Sequence, residues 1–168
     1  LGNGGQRVKV GEEVLSDFWA KAEGGLNVTV RMLAAYHQQA IDKASSIRWF
    51  NQTTTPPSST TLIFKHLAAD GQSILPRLDS TSPNPNPAIV SFNPGTNNFG
   101  IRVDGQWSVA DWNVPNSINQ GGHAMRWYIA KDRAGKIIPN TYILLHDYTG
   151  SSVTNYDYQD NIYIISNI

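Results

Sequence analysis

The C-terminal sequence TYILLHDYTGSSVTNYDYQDNIYIISNI, residues 141–168, gives the strongest indication of fold class in this chain. It contains two apolar runs, residues 142–145 and 162–165, that combine β-branched with aromatic side chains. The residues between the runs are mostly Asn, Asp, Ser, Thr and Gly, which favour turns and loops. The stretch therefore predicts two neighbouring β-strands joined by an irregular connection.

Short runs of the same kind recur along the chain, with turn signals between them about every 8–12 residues. The predicted strands cover residues 26–33, 46–50, 61–67, 89–92, 99–103, 124–130, 141–147 and 161–168. The predicted turns and loops cover residues 51–60, 70–71, 80–87, 93–95, 104–105, 113–122 and 131–136. This pattern predicts an all-β fold: a two-sheet antiparallel β-sandwich, of the jelly-roll or immunoglobulin-like kind, in a single domain over residues 1–168.

At most two short helices are expected, both before residue 46. Residues 34–40 fit either a continuation of the preceding strand or a short helix. In residues 12–21 the apolar side chains recur at a spacing that fits one or two helical turns; they are Val14, Leu15, Phe18 and Trp19. Alternation along residues 61–67 predicts one shared face for Leu62, Phe64 and His66.

The charge composition argues against a nucleic-acid partner. The chain has 13 Lys and Arg against 13 Asp and Glu, so its formal net charge is zero, and no basic stripe is present. Cysteine is absent, which excludes disulfides and thiolate metal sites. No apolar run reaches the length of a membrane span, and no signal peptide is recognisable.

Three carboxylates stand out beside the two C-terminal runs. Asp147 directly follows the first run, and Asp157 and Asp160 precede the second. If the runs pair, these side chains meet at one sheet edge, where mutual repulsion favours a hard cation such as Ca2+. The plain alternative is that Asp and Asn are simply turn residues. Both interpretations remain open at this point.

The second part of the chain, about residues 60–168, resembles uncharacterised bacterial secreted β-sandwich modules that occur beside β-propeller, malectin-like or immunoglobulin-like domains. The stretches that carry the resemblance are residues 70–78, 98–108, 121–128, 131–142 and 155–163. The last of these, NYDYQDNIY, is similar to the acidic D-Y-(N/Q)-D ending of such modules. The resemblance implies the same β-sandwich fold and an extracellular or cell-surface location.

The resemblance also implies a set of Ca2+ ligands. Asp147, Asp157 and Asp160 match the acids of the family ending, whereas Asn155 stands where the pattern has its first Asp and Gln159 where it has Asn. Both departures lower the ligand charge, although an amide oxygen still coordinates calcium. The implied ligands are Asp147, Asn155, Asp157 and Asp160.

Aromatic residues beside polar loops form a second candidate site. Trp107 and Trp112 lie close to Asp104, Asp111 and Asn113. Aromatic rings that cover the apolar faces of a sugar, together with polar groups that bind its hydroxyls, make a shallow carbohydrate site. Core packing is an equally good explanation for such rings. We expect the two indoles to be partly exposed on one loop-rich rim if they form a binding platform.

Catalytic signatures are weak. The glutamates, Glu12, Glu13 and Glu23, all lie near the N-terminus, which disfavours a glycosidase pair. Ser73, His123 and Asp147 form a triad only on paper, because no G-x-S-x-G turn is present. The histidines show no zinc-binding spacing. The expected protein is not an enzyme.

These observations predict a non-catalytic extracellular adhesion or carbohydrate-binding module supported by Ca2+, with a glycan or a neighbouring surface protein as its partner. The alternative is a structural subunit of a surface layer, pilus or extracellular filament that assembles by strand addition. The Gly-rich tip that precedes residues 8–10 is compatible with a donated strand.

Overall fold

The computed structural model describes residues 8–36, 45–67, 72–78, 87–113, 122–149 and 155–168. The predicted turn at residues 70–71 and most of the predicted loops at 80–87 and 113–122 lie outside these residues. Within the described ranges, no helix is long and apolar enough to cross a membrane.

The described residues form eleven strands and one 3-10 turn. The strands are β1 (Glu13–Val14), β2 (Val28–Tyr36), β3 (Ser46–Asn51), β4 (Thr61–Lys65), β5 (Gln72–Ile74), β6 (Ile89–Phe92), β7 (Phe99–Val103), β8 (Gln106–Trp107), β9 (Met125–Lys131), β10 (Ile137–His146) and β11 (Asn161–Ser166). The 3-10 turn covers Ala110–Trp112. The predicted strands and hairpin turns of this part of the chain are confirmed, with boundaries shifted by a few residues.

Two antiparallel sheets pack against each other, so the predicted β-sandwich is confirmed. The larger sheet has seven strands in the order β1-β9-β10-β11-β2-β5, with β6 also paired to β2. The smaller sheet has four strands in the order β4-β3-β7-β8. All the strand pairs are antiparallel.

The two C-terminal runs lie at the centre of the larger sheet. β10 and β11 pair with Leu144 opposite Tyr163 and His146 opposite Asn161. Along β11 buried and half-buried positions alternate strictly, which is the burial expected of a strand packed on one face. The end of β10 and the start of β11 therefore bring residues 146–149 and 155–161 to the same end of the sandwich.

The core lies between the two sheets. Its members from the smaller sheet include Ile47, Ile101 and Val103, and those from the larger sheet include Trp127 and Ile165. Because side chains of a strand alternate between its faces, Gly100 and Arg102 lie on the outer face of the smaller sheet, and so does Phe50, which pairs with Gly100. That outer face carries one of the two candidate sites.

The helix predicted within residues 12–21 is wrong. Glu13–Val14 forms β1, and Trp19 makes an isolated antiparallel bridge with Phe99 of β7. The two N–H···O bonds between Trp19 and Phe99 are 2.8 Å long. The segment is extended because it runs from the edge of the larger sheet to the smaller one. Residues 34–36 continue β2, and residues 37–40 lie outside the described ranges.

The predicted common face of β4 is wrong for one residue. Phe64 and His66 are buried, but Leu62 is 43% exposed. β4 pairs with β3 through Ile47–Phe64 and Arg48–Leu62, so Ile63 is an extra residue on its strand. Such a β-bulge shifts the alternation by one, which turns Leu62 to the outer face.

Candidate functional site

The acidic cluster, consisting of Asp147, Asp157 and Asp160, occupies the end of the sandwich where β10 ends and β11 begins. Asp147 is 1% exposed, and its Oδ2 accepts the N–H of Tyr158 at 3.1 Å. Asp160 accepts the N–H of Tyr148 through its Oδ2 at 3.0 Å. The segment after β10 and the segment before β11 are therefore linked twice, because a carboxylate of each accepts a backbone N–H of the other.

The three carboxylates interact electrostatically. Burial raises the pKa of Asp147 to about 7, and the negative charges of Asp160 and Asp157 add to this rise. Burial also raises the pKa of Asp160, again with a contribution from Asp157. These electrostatic interactions agree with the prediction from the sequence that the three acids meet at one end of the fold.

The bonds within the acidic cluster are those of turn residues. Asp157 accepts the side-chain amides of Asn155 and Gln159 at 2.6 and 2.8 Å. Among the residues that the structure describes, no three acidic or histidine side chains are arranged to hold a metal ion. At Asp157, a cation would compete with the side-chain amide donors of Asn155 and Gln159. Calcium at Asp147, Asn155, Asp157 and Asp160 therefore stays a prediction.

An unusual backbone supports the acidic cluster. Tyr156 and Tyr158 both have positive φ, 55° and 58°, a conformation that costs a non-glycine residue about 1–3 kcal/mol. Burial compensates for it, because Tyr156 is 3% and Tyr158 1% exposed. The Tyr158 hydroxyl also donates to the carbonyl of His123 at 2.6 Å. The strained turn is thus fixed by its two aromatic side chains.

Asp104, predicted to contact a ligand, belongs instead to this end of the fold. Its Oδ1 accepts the N–H and hydroxyl of Ser46 at 2.6 and 3.1 Å. Its Oδ2 accepts the hydroxyl of Tyr148 at 2.6 Å. Burial, together with the Asp104 charge, raises the pKa of Tyr148. Both carboxylate oxygens of Asp104 are therefore used within the protein.

The second candidate site is an aromatic cluster on the outer face of the smaller sheet, formed by Phe18, Phe50, Trp107 and Trp112. Phe50 is its base and is 3% exposed. Phe50 pairs with Gly100, and a Cβ added at Gly100 would come within 2.2 Å of the Phe50 ring. Glycine is needed there because it lets the ring lie directly on the neighbouring strand.

The two indoles of the aromatic cluster contact each other and Phe50. Both are half-buried. Their centroids are 5.7 Å apart and their planes make an angle of 82°. Trp107 and Trp112 lie 5.2 and 5.7 Å from Phe50, and Phe18 lies 6.1 Å from Trp112. The two indoles therefore form a partly exposed corner and not a flat surface.

The polar residues predicted around the indoles have different surroundings. Asp111 is exposed on the 3-10 turn beside Trp112. Asn113 is buried, and its side chain bonds the backbone N–H and carbonyl of Trp107 at 2.7 and 2.9 Å. Asn113 therefore positions the loop, and Asp111 is the predicted polar residue that faces solvent here.

The sequence interpretation missed Arg102. Its guanidinium lies 4.5 Å from the centroid of the Trp107 ring. The signal was present, because a two-residue turn at Asp104-Gly105 pairs Arg102 with Trp107 across the hairpin, as observed. The sequence interpretation also missed Arg48, which lies opposite Arg102 on the neighbouring strand.

A buried ionic cluster was also missed. Glu13 is fully buried, with its carboxylate 2.5 Å from Arg126 and 2.6 Å from His123. Burial opposes ionisation of Glu13, but hydrogen bonds from His123 and the Val10 N–H, with the charge of Arg126, hold its pKa below the usual range. His123 and Arg126 lie 110 or more residues away from Glu13 in the sequence. No local pattern therefore indicates these two partners.

A cleft of about 430 Å³ lies between the segment after Trp19 and the turn before β7. It is lined by Ala20, Lys21, Gly24, Asn93, Gly95 and Thr96. The Lys21 ammonium donates to the Gly24 carbonyl and to Asn93 Oδ1, at 2.7 and 3.0 Å. Since its charged group is already bound by the walls, this cleft offers a ligand less than the aromatic cluster does.

No protein-family model matches the chain, and a comparison with curated proteins finds no match either.

Proposed function

We propose that this chain is a non-catalytic extracellular binding module that contacts a carbohydrate through its aromatic cluster. The observation that carries the proposal is the corner formed by Trp107 and Trp112, which are half-buried and perpendicular on the outer face of the smaller sheet. Outward-facing indoles on a rigid sheet are partly desolvated and already oriented, which reduces the entropy cost of binding.

The chemistry of such a corner suits a sugar ring. One indole face covers the apolar C–H surface of the sugar, while the second limits its position from the side. The buried ring of Phe50 beneath them keeps both indoles from collapsing onto the strand. Asp111, exposed next to Trp112, is able to accept hydrogen bonds from hydroxyl groups.

Calcium has a supporting place in this proposal. Asp147, Asp157 and Asp160 would provide carboxylate oxygens, and Asn155 an amide oxygen. The ion would neutralise the mutual repulsion that adds to the effect of burial in raising the pKa of Asp147. Its role is to stabilise one end of the sandwich, since Asp104 and Tyr148 link that end to the hairpin that carries Trp107.

Glycan retention tests the proposed function. In affinity electrophoresis or on a glycan array, the folded protein should be retained by at least one glycan, and Trp112→Ala should weaken that retention at least about tenfold, since stacked rings act as energetic anchors. Tyr36→Ala, on an exposed aromatic residue of β2, is the matched control and should bind normally. Retention that is absent in the folded protein, or equal in Trp112→Ala, overturns the proposal.

The structural-subunit alternative has less support. Assembly by donation of the N-terminal segment would require residues 8–10 to detach from their own chain. The carbonyls of Val8 and Val10 instead accept bonds from Arg126 and Tyr128 of the same chain. Concentration-dependent growth in size-exclusion chromatography, abolished by removal of the residues before Glu13, would favour the filament over the glycan-binding module.

A further inference from the structure

We infer that the carbohydrate bound by the aromatic cluster is acidic, and that Arg102 and Arg48 bind the carboxylate of a uronic acid unit. This inference rests on the proposed function and adds the class of sugar. Its basis is a pair of arginines that share the outer face of the smaller sheet with the indoles and have no carboxylate partner among the described residues.

Arg102 is positioned by the aromatic cluster itself. Its guanidinium lies 4.5 Å from the Trp107 centroid, in a cation–π contact that orients the plane of the group. Within the described part of the chain, its side chain makes no hydrogen bond or ion pair, and its Nε is buried without a partner. Stacking fixes the guanidinium but leaves its donors unused, which is the arrangement suited to a planar carboxylate.

Arg48 adds a second positive charge at the same place. It pairs with Arg102 across β3 and β7, which puts the two Cβ atoms about 4.5–5.5 Å apart on one face. Its Nε and one terminal nitrogen donate to Thr60 at 2.6 and 2.7 Å, so its side chain is also held in place. Like charges directly opposite each other are unfavourable in a sheet, and a bound anion would remove the repulsion.

The nearby acids Asp104 and Asp111 form no ion pair with these two arginines. Asp104 follows Arg102 by two residues, but both of its oxygens are bound by Ser46 and Tyr148. Asp111 is exposed on the 3-10 turn and forms no ion pair with either arginine. Among the described residues, the guanidinium groups beside the indoles are therefore left without an acidic partner, although the chain as a whole has no net charge. Arginine donors that have no acidic partner favour an anionic ligand.

The test compares one polymer in two charge states. Polygalacturonate carries a carboxylate on every unit, and its fully methyl-esterified form has the same backbone without the charge. Binding is measured by isothermal titration and affinity electrophoresis in buffer without divalent cations, which would cross-link the polyuronate. We expect the wild type to bind the acid at least about tenfold more tightly than the ester, which corresponds to about 1.4 kcal/mol. Sodium chloride should weaken that binding, because exposed charges are screened.

Variants assign the effect to the arginine pair. Arg102→Gln and Arg48→Gln should each reduce affinity for polygalacturonate at least about fivefold, and by a larger factor than they reduce affinity for the ester. Arg102→Lys should be intermediate, since it keeps the charge but loses the planar fork. Arg31→Gln, which removes an exposed arginine from the other sheet, is the matched control and should bind both polymers as the wild type does. Thermal unfolding verifies that each variant is folded.

The outcomes separate this inference from the proposed function. Equal wild-type affinity for acid and ester, or preference for a sulfated glycan over polygalacturonate, overturns the uronate inference. If Trp112→Ala still abolishes glycan binding in those cases, the proposed function stands alone. If the folded wild type binds no glycan, acidic or neutral, both fail. If an arginine variant does not fold, the ratio of the wild-type affinities for the acid and the ester still tests the class of sugar.

Discussion

Asp147 is a single buried carboxyl whose ionisation should be visible in the stability of the whole protein. Burial and the neighbouring acids raise its pKa from 3.8 to about 7 in the folded state. Between those two pH values the folded state binds more protons than the unfolded state, so the free energy of unfolding should fall as pH rises. The loss should be on the order of a few kcal/mol.

Asp147→Asn tests this directly. The amide keeps an oxygen that accepts the Tyr158 N–H but does not ionise. In the presence of a chelator, we expect the variant to lose the decline of melting temperature from about pH 4 to about pH 7 and to exceed the wild type above it. A pH profile of thermal unfolding that is identical in the two proteins would show that Asp147 ionises normally.

Within the aromatic cluster, the packing role and the proposed binding role belong to different residues. Phe50 is buried and supports both indoles, so Phe50→Ala should cost about 3–5 kcal/mol. Trp107 is half-buried, so Trp107→Ala should cost about half as much while removing the stacking partner of Arg102. Urea denaturation measures both. Equal costs for the two variants would mean that Trp107 is a core residue, which would argue against a binding role.

At the scale of elements, the sequence predicts strands whose burial follows from their own alternation. β10 and β11 are recognisable because their apolar residues and their turn-forming connection are local signals. β1 is not recognisable, since the burial of Glu13 depends on His123 and Arg126 in a distant part of the chain. The exposure of Leu62 is not predictable from the sequence, because a one-residue bulge in β4 leaves no clear sequence signal.

The same logic applies to the candidate sites. The approach of Asp147 to Asp157 and Asp160 was predictable, because it follows from the pairing of β10 with β11. The partner of Asp104 was not, since Tyr148 comes from the other sheet. The perpendicular arrangement of Trp107 and Trp112 depends on Phe50, which lies more than fifty residues earlier in the chain. Contacts between residues that are far apart in the sequence are therefore the ones that a sequence-based prediction does not reach.

β1 offers a prediction at the element scale. Its two residues pair with β9, and the buried Glu13 carboxylate is their main anchor. Removing one partner of a buried ion pair leaves the other charge unpaired, which typically costs about 3–5 kcal/mol. We therefore expect Glu13→Ala to be strongly destabilising and to expose residues 8–14 to limited proteolysis, followed by mass spectrometry.

The neighbouring residue provides the control for β1. Glu12 forms an exposed ion pair with Lys131 at 2.6 Å, and Glu12→Ala should leave the melting temperature nearly unchanged because solvent screens such pairs. The double variant Glu13→Leu with Arg126→Leu should recover part of the lost stability, since it removes both buried charges. If Glu13→Ala and Glu12→Ala have the same small effect, β1 is not anchored by its ionic cluster.

At the scale of the whole molecule, the acidic end connects the two sheets. Tyr148 follows β10 of the larger sheet, its N–H donates to Asp160, and its hydroxyl donates to Asp104 after β7 of the smaller sheet. Ser45, directly before β3, contacts the same hydroxyl at 2.9 Å. A ligand that binds the acidic cluster would therefore stabilise the packing of one sheet on the other and not a loop alone.

Calcium should accordingly change the global melting temperature. A ligand that binds only the folded state adds RT ln(1 + [L]/Kd), about 2.7 kcal/mol at a hundredfold excess over Kd. Because Ca2+ must displace the proton that Asp147 holds up to about pH 7, the upward shift should be larger above that pH than below it.

Asp160→Asn should remove most of the shift in melting temperature that calcium causes. Asp132→Asn, at the tip of the β9–β10 hairpin, should retain it, since Asp132 only binds the Ala134 and Lys136 amides. Differential scanning calorimetry in millimolar calcium and in chelator measures all three proteins, and an unchanged wild-type midpoint would identify the acidic cluster as turn residues that bind each other's backbone and nothing else.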